Sequence, residues 1–221
     1  MKPLFESDLI CAQAWTAAAR GETTRTTKLV LEAGDVAWER GQLHIAVSAF
    51  HDAVRFGGVD EALRRMARIV PCVDGRQAPT MLAHATALKA QDGVALDAVS
   101  AAFEEMGATL LAAEASIEAA AVHRRNGKLS SSLAAGDRAR VLRSQCEGAT
   151  VPAMEHTDCD VLTRREREVA VLAARGLSNR EIADHLVVSI RTIENQLHRV
   201  YTKLGLAGRD ELAGTLGSPF R

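Results

Sequence analysis

The 221-residue sequence predicts an all-α fold, with a helical-repeat body of tetratricopeptide-like (TPR-like) character over residues 1–147, a linker at 148–160 and a helix-turn-helix domain at 161–221. Three observations predict it. Residues 1–147 are rich in Ala, Leu, Glu and Arg and hold almost no alternating run of β-branched residues, so helices are the expected product. Gly and Pro interrupt that stretch at short intervals, which implies brief links between antiparallel neighbours. Near the carboxyl end, three hydroxyl caps in register start three short helices, each with one apolar stripe.

In the body, the breakers Gly41, Gly57 with Gly58, Pro71, Gly75, Gly93, Gly107 and Gly127 delimit helices over about Phe5–Arg20, Thr23–Arg40, Gln42–Phe56, Asp60–Ile69, Pro79–Ala90, Val94–Met106, Ala108–Asn126 and Ser130–Glu147. Gly34, Ala37, Ala46, Phe50 and Ala53 fit the small and large packing positions of a tetratricopeptide unit, whose length is near 34 residues. Leu96, Val99, Ser100, Phe103, Ala112 and Ala119 repeat that spacing 66 residues later. The unit between is degenerate, since Pro79 falls where a packed Ala is wanted. An irregular bundle with coincidental Ala spacing is the competing reading. Such arrays serve as binding surfaces or spacers. Trp15 and Trp38 read as packing residues, Arg64, Arg65 and Arg68 as a solvated charged face, and His44 with His51 as a surface pair. The stretch Gly148–Asp160 carries Gly and Pro without helical periodicity and reads as a hinge.

The carboxyl-terminal segment is the most specific. Thr163 with Glu166 is a capping box starting a helix from about Arg164 to Arg175, which Gly176 ends. Ser178 with Glu181 starts a second helix of about two turns. Ser189, followed by Thr192, starts a third that reaches Leu204. Two helices joined by a short turn form a helix-turn-helix, and the later one is placed in the groove. On it, Ile193, Leu197, Val200 and Leu204 form one stripe that can close a core with Val169, Leu172, Ile182 and Leu186. Glu194, Asn195 and His198 lie away from that stripe. Asn195 can pair with an adenine edge through two hydrogen bonds, Glu194 can accept from a cytosine amino group, and His198 can donate or accept. Ser178, Asn179, Arg180, Arg191, Thr192, Arg199 and Lys203 suit phosphate contacts that set register.

The run LTRREREVAVLAARGLSNREIADHLVVSIRTIENQLHRVYTKLGL, residues 162–206, resembles the LuxR/FixJ-type DNA-binding domain at nearly every characteristic position. The resemblance covers about 60 residues of 221. It implies a four-helix LuxR-type domain whose third helix enters the major groove, with base-facing positions falling on Glu194, Asn195 and His198. It also implies a fourth helix, from about Arg209 to Leu216, which often helps pair two domains on a two-fold operator. Gln196 departs from the usual His and Ile193 from the usual Val. A helical array joined to such a head is similar to the C-terminal portion of the large ATP-binding LuxR-family regulators.

Charge refines this reading. Residues 160–221 hold ten Lys or Arg against eight Asp or Glu, and residues 1–159 seventeen against twenty. Each neutralised phosphate contributes a salt slope of roughly −0.9, so one mildly basic head should bind double-stranded DNA weakly. Two heads on half-sites roughly 34 Å apart restore affinity, so a homodimer is expected on DNA. No GxxxxGK[ST] loop, nucleophile-base pair or metal-ligand spacing is found, so neither an enzyme, a cofactor nor a metal is expected. No run approaches the roughly 18 apolar residues of a membrane-spanning helix, so no membrane partner is expected. The expected location is the cytoplasm, with Cys11, Cys72, Cys146 and Cys159 as free thiols. The function expected is transcriptional regulation, with a protein or small-molecule effector at the helical body. The alternative is an adaptor or antagonist whose body binds a protein partner.

Overall fold

A computed structural model describes residues 5–146, 162–204 and 206–212, and among these there are helices and turns but no strand. The helices are α1 (Glu6–Ala19), α2 (Thr23–Glu39), α3 (Leu43–Arg55), α4 (Val59–Ile69), α5 (Gln77–Ala90), α6 (Gly93–Glu105), α7 (Thr109–Arg125), α8 (Leu129–Ser144), α9 (Arg164–Ala174), α10 (Asn179–Leu186) and α11 (Ile190–Leu204). The predicted linker falls wholly outside the described residues. Helix α5 starts at Gln77, two residues ahead of the expected Pro79, because proline is tolerated in a first turn, where its missing amide has no helical partner.

The helix ends share one device. After α1, α2, α3, α6, α7 and α9 the chain turns through a glycine at positive φ, and the following amide donates five residues back, as Gln42 N does to Ala37 O at 2.9 Å. This closure satisfies carbonyls left open at the helix terminus and needs a left-handed residue. Two turns make the same bond without glycine: Gln91 follows α5 and Val187 follows α10, each at φ 53°. For β-branched Val187 that conformation is strained.

The chain divides into two compact units, one of Met1–Ala12 with Thr27–Asp158 and the other of Gln13–Thr26 with Cys159–Arg221. In the first, α3 to α8 pack each on the next, and α3 also meets α5. All the packing positions read from the sequence, from Gly34 to Ala119, are buried. Gly34 is required there, since a Cβ would stand 2.3 Å from the Phe50 ring. The helices are cross-linked at a nearly constant interval. His51 and His84 are joined across 33 residues, and His84–Glu118, Gln91–Arg125, Glu104–Arg138 and Glu6–Arg40 across 34. That interval is the length of a stacked helix-pair repeat.

Two of these links belong to a buried polar cluster on α3, α5 and α7. His51 Nε2 and His84 Nδ1 are 2.9 Å apart, His84 Nε2 lies 2.5 Å from Glu118 Oε2, and Phe103 packs against both rings. Burial, with the neighbouring His84 and Arg55, holds His51 well below the ordinary histidine pKa, so it is neutral. His51 is therefore no surface partner of His44. It is 1% exposed because successive repeats bring positions 51 and 84 together in the core. Beside this chain, Arg55 grips Glu114 through two bonds of 2.7 Å and also reaches Asp52. The predicted solvated face of arginines is exposed at Arg64 and Arg68, and its members also have partners. Arg64 pairs with Glu61, Arg65 with Asp35 and Glu61, and Arg68 lies 4.8 Å over the Trp38 ring.

In the second unit, the turn between α1 and α2 docks on the outer face of α9. Thr24 donates to Glu168 from its amide at 2.7 Å and from its hydroxyl at 2.9 Å, so a carboxylate from α9 caps the first turn of α2. Arg165 completes the cluster, Arg175 donates to the Arg20 carbonyl, and a Cβ on Gly21 would stand 2.6 Å from Val171. Glu168→Ala should lower stability by about 1–3 kcal/mol, the range for hydrogen bonds to a buried charged group. Faster amide exchange at Thr24 is the measurement that checks it.

Candidate nucleic-acid interface

Local chemistry builds the frame of this region. Thr163 and Ser178 both complete capping boxes: each hydroxyl accepts from the amide three residues on at 3.3 Å, and the Glu166 or Glu181 carboxylate accepts from the cap amide at 2.7 Å. Ser189 accepts from the Thr192 amide at 3.1 Å and starts α11. These caps place α9, α10 and α11 around one apolar core of Leu162, Val169, Ala170, Leu172, Ala173, Ile182, Ala183, Leu186, Ile193, Leu197, Val200 and Leu212. Leu204 packs against it from the edge. All eight core residues expected from helical spacing are in contact there. Of the expected fourth helix, Arg209–Glu211 forms a single 3-10 turn, and the part from 213 onward lies outside the described residues.

A buried electrostatic tie holds α11 to α9. Lys203 Nζ lies 2.6 Å from Glu166 Oε2, and the carboxylate is almost fully buried. Burial alone would raise the Glu166 pKa, but the Lys203 ammonium and the Thr163 amide and hydroxyl outweigh it, so the carboxyl lies below its ordinary value. The Glu181 carboxyl is lowered by Ser178 in the same manner.

The residues singled out by the sequence divide into two groups. Glu194, Asn195 and His198 are exposed along α11 opposite the buried stripe, and Arg191 and Arg199 are exposed beside them. Arg180 is exposed at the start of α10. Among the described residues, Arg180, Arg191 and Arg199 form no ion pair, so their charge faces solvent. The second group is already engaged. The Ser178 hydroxyl donates to Glu181, Asn179 Oδ1 accepts from Arg209 at 3.0 Å, the Thr192 hydroxyl lies 2.8 Å from that of Ser189, and Lys203 holds Glu166. Gln196, the departure from the usual His, keeps its Oε1 buried without a hydrogen-bond donor among the described residues. Sequence reasoning passed over Val187, 89% exposed, and Ile190, 42% exposed, on the turn into α11. Their signal was partial: Val187 is an apolar residue in the turn, and Ile190 falls in period with Ile193 and Leu197 yet is exposed at the helix start. Among the described residues, no cluster of His, Cys, Asp or Glu could hold a metal ion, and no helix is long and apolar enough to cross a membrane.

Two capped helices joined by a tight turn, with the second carrying a buried stripe on one face and polar and cationic side chains on the other, define a helix-turn-helix domain. Residues 160–215 match the family of bacterial regulatory proteins of the luxR type, so this segment is a LuxR-family helix-turn-helix domain. The same segment is 51% identical over 61 residues to an HTH-type transcriptional regulator of Mycobacterium bovis, a match covering 26% of this chain and 7% of the relative. A second HTH-type transcriptional regulator, from Mycobacterium tuberculosis strain H37Rv, is 49% identical over 61 residues with the same coverage. The oxygen regulatory protein NreC of Staphylococcus aureus is 44% identical over 52 residues, 24% of each chain. The chain thus spans less than a quarter of the length of these curated relatives. No solved structure gives a significant match.

Proposed function

We propose that this chain is a sequence-specific DNA-binding transcription regulator that reads the major groove with α11. One observation carries the reading: α11 buries Ile193, Leu197 and Val200 while leaving Glu194, Asn195, His198, Arg191 and Arg199 exposed on the remaining surface. Asn195 offers a donor and an acceptor to a base edge, Glu194 an acceptor and His198 either. Arg180, Arg191 and Arg199, together with amides at the starts of α10 and α11, fix register on phosphates. In this reading Ser178, Asn179, Thr192 and Lys203 take part through backbone amides or by holding the frame, since their side chains are engaged within the domain.

So few free cations among the described residues of one head favour binding as a homodimer on paired half-sites, where the second contact is effectively intramolecular. The helical body then serves dimerisation or response to a protein or small-molecule effector, as stacked helical arrays do. The curated relatives named as transcriptional regulators support the assignment, as does the luxR-type match.

Gel-shift titration on duplexes selected from random sequence tests it. Asn195→Ala should erase preference at one position of each half-site, a loss of about 1–3 kcal/mol in discrimination. Arg199→Ala should weaken all sequences alike and reduce the salt slope by about one. A chain that shifts no duplex even at low salt would turn the assignment to an adaptor whose body binds a protein partner.

A further inference from the structure

The turn into α11 carries an apolar tip that the domain does not use. Val187 and Ile190 are both exposed, whereas Val188 between them packs against the apolar core. Val187 stands at φ 53°, where asparagine or glycine would be at ease and a β-branched side chain is strained. The left-handed turn itself closes the preceding helix through the bond from the Val188 amide to the Ala183 carbonyl, but that closure does not call for a β-branched side chain.

Ile190 also has a definite place on the helix. It is the first residue of α11, three residues before buried Ile193 and four before exposed Glu194, so Ile190 stands at the seam between the apolar stripe and the exposed row of Glu194 and His198. In a helix-turn-helix the N-terminal residues of the reading helix come closest to base edges. An aliphatic side chain pressed against a phosphate or a base amino group would desolvate it without returning a hydrogen bond. The major groove displays one apolar group, the C5 methyl of thymine.

We propose that Ile190, flanked by Val187, is a specificity-determining residue that selects thymine through van der Waals contact with its methyl group. The inference rests on the groove-reading role assigned to α11 and adds a base preference to it. Replacing thymine by deoxyuracil removes that methyl while leaving the hydrogen-bonding edge intact, so the two claims separate.

The test uses the full chain and its selected duplex, with each thymine replaced in turn by deoxyuracil. Affinity should fall about four-fold at one thymine in each half-site, the equivalent of one buried methyl group. Ile190→Ala should bind the thymine and deoxyuracil duplexes equally, while Ile190→Val retains most of the difference. Val187→Asn, which relieves the strained turn, should fold at least as stably as the parent and narrow the difference. Binding that persists with no deoxyuracil effect at any position, or an effect unchanged in Ile190→Ala, overturns the inference alone. Loss of transcriptional output in Ile190→Ala with the deoxyuracil effect intact assigns the tip to a protein partner, and also overturns it. Failure of the parent chain to bind any duplex overturns both this inference and the reading beneath it.

Discussion

Arg55→Met should destabilise the helical body by about 3–5 kcal/mol at neutral pH. Arg55 and Glu114 are 9% and 1% exposed at their side chains, and the guanidinium meets the carboxylate through two parallel bonds of 2.7 Å. Removing the guanidinium leaves a buried carboxylate without the cation that is bonded to it and offsets its lost hydration. Burial already holds the Glu114 pKa above its ordinary value, against the lowering effect of Arg55. A carboxyl with a raised folded-state pKa binds its proton more tightly folded than unfolded. Stability therefore falls as pH rises through the interval between the ordinary and raised values, and recovers on acidification. Without Arg55 that interval widens, so the deficit of Arg55→Met should shrink as the pH is lowered. Urea unfolding at several pH values, followed by circular dichroism, checks the slope. The double variant Arg55→Met, Glu114→Leu should be more stable than Arg55→Met alone, because no unpaired charge remains. A double variant no more stable than the single one would mean that the network is held by something other than this pair.

Ile193→Ala should cost about 2–5 kcal/mol and remove DNA binding by unfolding the helix-turn-helix domain rather than by touching DNA. Ile193 is fully buried at the centre of the core formed by α9, α10 and α11. A domain of this size has only about 3–8 kcal/mol of stability to lose. The exposed neighbour Glu194 provides the contrast, since Glu194→Ala should leave the melting curve unchanged within about 0.5 kcal/mol. Thermal melts of both variants, read beside gel shifts, separate a structural loss from a lost contact.

The difference between these two residues shows how much was legible. Capping boxes act over three residues, so Thr163–Glu166 and Ser178–Glu181 could be placed from sequence. The stripe of Ile193, Leu197, Val200 and Leu204 followed from the helical period. The same period placed Glu194, Asn195 and His198 on the opposite surface. Lys203 lay with them by period, yet it turns to Glu166, because a partner 37 residues away sits in reach only once α9 and α11 have packed. His51 was misplaced for a related reason. Its partner His84 is one repeat distant, and the Glu118 that His84 meets in turn is two from His51, so neither helical spacing nor local charge points to them. The repeat interval, already suggested by the small residues at Gly34 and Ala46, would have done so if applied to the polar residues.

The sequence by itself determined, to within a few residues, where helices α1 to α11 lie, which face of α11 is apolar, and that a helix-turn-helix stands near the carboxyl end. Those properties follow from interactions among residues within a few positions of one another. Only the tertiary structure decided which polar groups are spent on one another. The cap that Glu168 places on Thr24, 144 residues away in sequence, and the buried grip of Arg55 on Glu114 arise when separate helices bring donors and acceptors within about 3 Å. Charged side chains are long and adaptable, so their partners are chosen by packing, whereas caps and stripes are settled by the backbone on which they lie.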